Sequence, residues 1–177
     1  MENLKFQTCC FFGHREIEEN EELVLKLKLE IEKLIDEKRV SIFLFGSNSR
    51  FDDLCYRIIS QLKERYSHIK RVYVRASYAD IGRGYERYLA TKYEESYCPE
   101  KIRRAGRASY VERNKEMIDK SSFCIIYYDK SYLPPKRKKS NRDLTNYQPQ
   151  SGTALAYAYA LRKEIEIINV FDDTHPM

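Results

Sequence analysis

The sequence predicts an α/β fold, a three-layer sandwich built on a mostly parallel five-stranded sheet, with residues 1–177 forming a single domain. Three observations predict it. Apolar runs of strand length alternate with segments of helical period along the whole chain. Those runs are continuously apolar rather than alternating, as strands covered on both faces are. The 177-residue length suits one domain with a sizeable core of its own.

The elements follow in order. Thr8 to Phe12 is the first apolar run and ends at Gly13. A helix is expected from about Glu18 to Lys38, with Val24, Leu27, Ile31, Leu34 and Ile35 on one face. Val40 to Phe45 reads as the second strand, closed by Gly46, and Asp52 or Asp53 caps a helix carrying Leu54, Ile58, Ile59 and Leu62. Ile69 to Val74 is the third strand. Arg75 to Tyr110 is the least regular stretch, and a helix resumes near Ala108 and runs to about Lys120. Phe123 to Tyr128 is the fourth strand, followed by a basic loop from Asp129 to Gln150. Ser151-Gly152-Thr153 opens an Ala-rich helix, and Ile165 to Val170 is the fifth strand. Strand–helix alternation of this kind implies right-handed crossovers and a Rossmann-like sheet.

Composition narrows the function classes. The chain is 42% hydrophobic and 33% charged, with 15 Tyr and 8 Phe, which excludes a wholly disordered polymer. A net charge of +5 favours anionic partners without choosing among them. Cys9, Cys10, Cys55, Cys98 and Cys124 form no CxxC pair, and with three His no metal site is expected; buried, reduced thiols are. No apolar run reaches membrane-span length and the N-terminus lacks a signal-peptide core, so a cytoplasmic location and no membrane contact are expected.

In open parallel sheets ligands bind beyond the carboxyl ends of the strands, near the point where the strand order reverses. That rule selects four places. The first is Gly13-His14-Arg15-Glu16: a glycine permits close backbone approach, and His14 and Arg15 can hydrogen-bond phosphate or ribose, although a solvated turn would look the same. The second, Gly46-Ser47-Asn48-Ser49-Arg50-Phe51-Asp52, sits between a strand and a helix whose first N–H groups can cradle an anion. Asp52 there either accepts from ribose hydroxyls or only caps the helix. The third, Gln150-Ser151-Gly152-Thr153, offers N–H donors at a helix start, or a plain N-cap at Ser151. The fourth is Arg113 with Asn114, for which a surface pair with Glu116 is the alternative. The Lys136–Lys139 run lies on the same side and either closes over phosphates or is a plain solvated face.

These stretches, in this order, resemble the SLOG superfamily, and more narrowly its small stand-alone bacterial members. The matching stretches are Thr8-Cys9-Cys10-Phe11-Phe12-Gly13-His14-Arg15, Phe45-Gly46 through Phe51-Asp52-Asp53-Leu54-Cys55, Tyr110 to Ile118, and Ser151-Gly152-Thr153-Ala154 before Ala158-Tyr159-Ala160. The resemblance implies nucleotide or NAD-derived ligands. The related cytokinin-activating enzymes cleave an N-glycosidic bond with a Glu in the last motif, and Ala156 stands at that position here. A more distant relative, DNA-processing protein A, binds single-stranded DNA.

The leading expectation is therefore a sensor or binding module for a nucleotide or an NAD- or ADP-ribose-derived small molecule, with no resident cofactor. Gly13, His14, Arg15, Gly46, Ser47, Asn48, Phe51, Asp52, Arg113, Asn114, Ser151, Gly152 and Thr153 are its expected ligand-binding residues. An N-glycosidic hydrolase is the alternative, with Asp52, Glu16 and His14 as candidate catalytic groups and Asp129 as a further carboxylate. Nucleic acid is a less favoured partner, because Asp80, Glu86, Glu94, Glu95 and Glu100 interleave with the Tyr and Arg between Arg71 and Tyr110. Further copies of the chain in a homo-oligomer are expected.

Overall fold

The computed structural model describes residues 2–47, 49–76, 83–134 and 151–171. Asn48, the Lys136–Lys139 run, Asp80 and Gln150 lie outside the described residues. A short helix α1 (Glu2–Lys5) precedes β1 (Thr8–Gly13), α2 (Glu21–Asp36), β2 (Ile42–Phe45), α3 (Arg50–Arg65) and β3 (Lys70–Val74). Then come α4 (Arg83–Lys92), β4 (Glu95–Tyr97), two 3-10 turns at Glu100–Arg104 and Gly106–Ala108, and α5 (Ser109–Asp119). β5 (Phe123–Tyr127), α6 (Gly152–Arg162) and β6 (Glu166–Asn169) complete the order.

The sheet has six strands, not five, in the order β4-β3-β2-β1-β5-β6, and every pairing is parallel. The added strand is β4, Glu-Ser-Tyr, inside the stretch that reads as irregular. Three residues with no apolar run leave no periodic signal. It forms because Val72, Tyr73 and Val74 of β3 present a free edge, against which Glu95, Ser96 and Tyr97 pair. α4 escapes sequence reading for a related reason, since among its described side chains Leu89 alone reaches the core.

Strand alternation sorts the core into two layers. Cys9, Phe11, Phe43, Phe45 and Ile125 face α2 and α3, whereas Cys10, Phe12, Leu44, Cys124 and Ile126 face the α5 and α6 side. The adjacent Cys9 and Cys10 thus bury into opposite layers, and the thiols of Cys9, Cys10, Cys55 and Cys124 are all free. α2 buries Leu27, Ile31, Leu34 and Ile35 of the expected stripe, with Leu23 buried where Val24 was expected and Val24 only half-buried, and Asn20 caps it by accepting from the Leu23 N–H at 2.8 Å. Among the described residues no helix is long and apolar enough to cross a membrane.

Winding fixes where a ligand would meet the sheet. From β1 the chain steps outward through β2, β3 and β4, then returns to place β5 on the other side of β1. The crossovers therefore diverge at β1 and β5, and a crevice is left above their carboxyl ends.

Candidate functional site

Buried polar side chains concentrate at that end of the sheet. Thr8 and Ser121 lie at the opposite end, while His14, Ser49, Asp52, Arg113 and Thr153 all follow a strand's carboxyl terminus or sit on a helix crossing that edge. Burying such groups costs free energy unless they are paired, so their gathering at one edge calls for a reason.

His14 follows β1 and is 3% exposed. Its Nε2 accepts the Asp129 N–H at 3.0 Å, which places the ring proton of the neutral form on Nδ1. Nδ1 is buried and has no hydrogen-bond partner among the described residues. Burial lowers the His14 pKa, more than the contacts with Asp129 raise it, so the ring is a neutral donor at physiological pH. The Tyr132 ring stacks on it with centroids 3.9 Å apart.

Asp52 is also 3% exposed. It is not the helix cap: Ser49 is, its hydroxyl accepting the Asp52 N–H at 3.1 Å. Freed from that task, the Asp52 carboxylate turns back into the preceding loop. Oδ2 accepts the N–H groups of Ser47 at 2.8 Å and Gly46 at 3.3 Å, while Oδ1 is buried and unpartnered among the described residues. Loss of water pushes its pKa from the usual 3.8 up to about 6, against the pull of the two N–H groups and of Arg113. The expected anion cradle of this loop is thus filled from within, by the protein's own carboxylate.

Arg113 of α5 is 4% exposed and not a surface residue. Its expected partner Glu116 pairs instead with Lys101 at 2.7 Å and Lys120 at 3.1 Å. The Arg113 Nε donates to Asn114 Oδ1 at 2.9 Å, and its charge acts on both Asp52 and Tyr73. Gly46 makes room for it, since a Cβ there would lie 2.7 Å from Arg113 Cδ and 2.8 Å from Met117 Sδ. Asp52 from one helical layer and Arg113 from the other therefore converge above the end of β2.

Other expected site residues take local roles of their own. Phe51 is 0% exposed and belongs to the core; its ring fills the space that Gly13 leaves, so neither side chain position is open to a ligand. Arg15 is exposed, and Glu16 is tied at the surface to Arg50 at 3.0 Å. Asp129 spends its carboxylate on the Ser131 N–H and hydroxyl. Ser151 caps α6, accepting the Ala154 N–H at 3.0 Å, while Gly152 is exposed and Thr153 buried. Tyr73, Tyr93 and Tyr132 flank the site without having been singled out. Only Tyr132 carried a sequence signal, the Asp-x-Ser turn pattern at Asp129 directly after a strand.

No family model matches the chain, and no curated protein sequence matches it.

Proposed function

We propose that this protein binds a nucleotide or a nucleotide-derived small molecule, such as an NAD or ADP-ribose derivative, at the carboxyl edge of its sheet. The observation that carries the reading is Asp52: a buried carboxylate with one oxygen held by Gly46 and Ser47 and the other without a partner among the described residues, beside the buried Arg113. A buried acceptor left unpaired at the edge where such folds take ligands suits a ribose hydroxyl as donor. The neutral Nδ1–H of His14, without a partner among the described residues, supplies the complementary donor at the β1–β5 crevice. The start of α6 adds N–H groups suited to phosphate. The SLOG resemblance of these stretches points to the same ligand class.

Binding without turnover is favoured by the surroundings of the carboxylates. Ala156, where the related enzymes place their Glu, is packed in the core against the sheet. Glu16 and Asp129 are committed to contacts of their own. Titration calorimetry against NAD, ADP-ribose and nucleoside monophosphates is expected to give at least one dissociation constant well below millimolar, a free energy beyond roughly −4 kcal/mol. Silence across the whole panel would sink the reading, and release of free base would replace it with the hydrolase.

Gly152→Val tests the α6 contribution. Among the described residues a Cβ at Gly152 meets no atom within 4 Å, so the variant is expected to unfold within about 1 kcal/mol of the parent. The branched side chain crowds the N–H groups beside it, so affinity for the phosphate-bearing ligands is expected to fall at least several-fold. Undiminished affinity in a folded variant would remove α6 from the site.

A further inference from the structure

Tyr132 is held in place more firmly than a loop residue needs to be. The turn that carries it starts at the Asp129 N–H, donated to His14 Nε2 at 3.0 Å. Asp129 Oδ1 then accepts the Ser131 N–H at 2.7 Å and the Ser131 hydroxyl at 2.6 Å, and the Tyr132 N–H reaches the Asp129 carbonyl at 3.3 Å. This brings the chain back on itself, so that the Tyr132 ring lies over the same His14 at 3.9 Å and 24°. His14 thus pins the turn with its edge and backs the tyrosine with its face. His14 is itself rigid, being 3% exposed and flanked by Tyr127 and Tyr128 at 6.2 and 6.1 Å. Tyr132 is only partly buried, and among the described residues no second ring stacks on it.

We infer that Tyr132, backed by His14 at the β1–β5 crevice, is the stacking platform for the planar base of the ligand. The inference rests on the proposed nucleotide reading and assigns the base end of that ligand. A ring already fixed before binding loses little freedom when a base settles on it, which is what makes a platform effective. Stacking accepts any flat heterocycle, so the platform selects for a base without selecting which base. Hydroxyl recognition then falls to Asp52, and phosphate recognition to the N–H groups at the start of α6.

The experiment compares AMP, ADP-ribose and NAD with ribose 5-phosphate, which lacks a base, on the full chain and its Tyr132→Leu and Tyr132→Phe variants. Tyr132→Leu is expected to weaken the base-bearing ligands by about tenfold or more. It is expected to leave ribose 5-phosphate within about twofold, and Tyr132→Phe should keep parental affinity, because the ring and not the hydroxyl does the stacking. Thermal unfolding of each variant controls for loss of the turn. Parental affinity for all three nucleotides in Tyr132→Leu overturns the platform while leaving the nucleotide reading intact. Equal losses for the nucleotides and for ribose 5-phosphate also overturn it, since the residue would then only position the loop. If no nucleotide binds the parent protein, the reading beneath the platform fails and the platform with it.

Discussion

Gly13→Ala is expected to destabilise the protein by about 3 kcal/mol or more. A Cβ at Gly13 falls on the Cβ and Cγ of Phe51. The size of the effect follows from which atoms collide. The Cβ of Phe51 is fixed by the backbone of α3, so no change of rotamer relieves the contact, and the helix must move away from β1. Phe51 is fully buried, so that movement opens the core around Leu54 and Phe45. Gly46→Ala makes the contrast. Its Cβ meets Arg113 Cδ and Met117 Sδ, both on flexible side chains, so the cost to folding is expected to be clearly smaller and to appear instead as displacement of Arg113. Denaturant unfolding of the two variants decides it. A loss under about 1 kcal/mol for Gly13→Ala would show that the β1–α3 contact can relax.

Asp52→Asn is expected to change the pH dependence of stability in one direction only. A carboxylate whose pKa is higher folded than unfolded binds its proton more tightly in the folded state, so folding is favoured at low pH and penalised as the group ionises. With the folded pKa raised from 3.8 to about 6, the penalty is absent below pH 3.8, grows between pH 3.8 and 6, and is constant above. Its full size is on the order of 3 kcal/mol, two pKa units at 1.36 kcal/mol each. Asparagine cannot ionise. The stability of the variant relative to the parent is therefore expected to rise by up to that amount from pH 4 to pH 6, then to level off. His14, whose pKa is lowered, acts in the opposite sense, penalising folding as the medium becomes acidic, but it is common to both proteins and cancels in the difference. Ligand affinity is expected to move the other way, weakening by about 1 kcal/mol, since a neutral amide replaces the ionised acceptor. A gain in stability with a loss in affinity is the signature of a residue kept for binding at a cost to folding. A pH-independent difference between the two proteins would mean that Asp52 is not desolvated as the structure has it.

Much of the framework was legible in the residues alone. Continuous apolar runs such as Thr8 to Phe12 and Phe123 to Tyr128 and the helical stripe from Leu27 to Ile35 are local patterns, and burial on a covered sheet requires them. The edge strand β4 and helix α4 were not legible, because each takes its order from a neighbour already in place and carries few apolar residues. Within the site, His14, Asp52 and Arg113 could be picked out from their places after strands or on the expected helix. Their states could not. Nothing in Arg113-Asn114-Lys115-Glu116 distinguishes an arginine paired at the surface from one buried above Gly46.

The sequence by itself therefore determined the strand and helix alternation outside α4 and β4, the two-sided burial of the sheet and the edge at which polar chemistry gathers. These depend on composition and period, which are properties of neighbouring residues. Only the tertiary structure decided that Ser49 and not Asp52 caps α3, that the Asp52 carboxylate occupies its own loop, and that Gly13 exists for Phe51. It also decided that Tyr132 closes over His14, from a residue more than a hundred positions away along the chain. Each of these is a competition for one hydrogen-bond donor or one volume among groups far apart in sequence, and such competitions are settled only when the parallel sheet brings β1, β2 and β5 side by side.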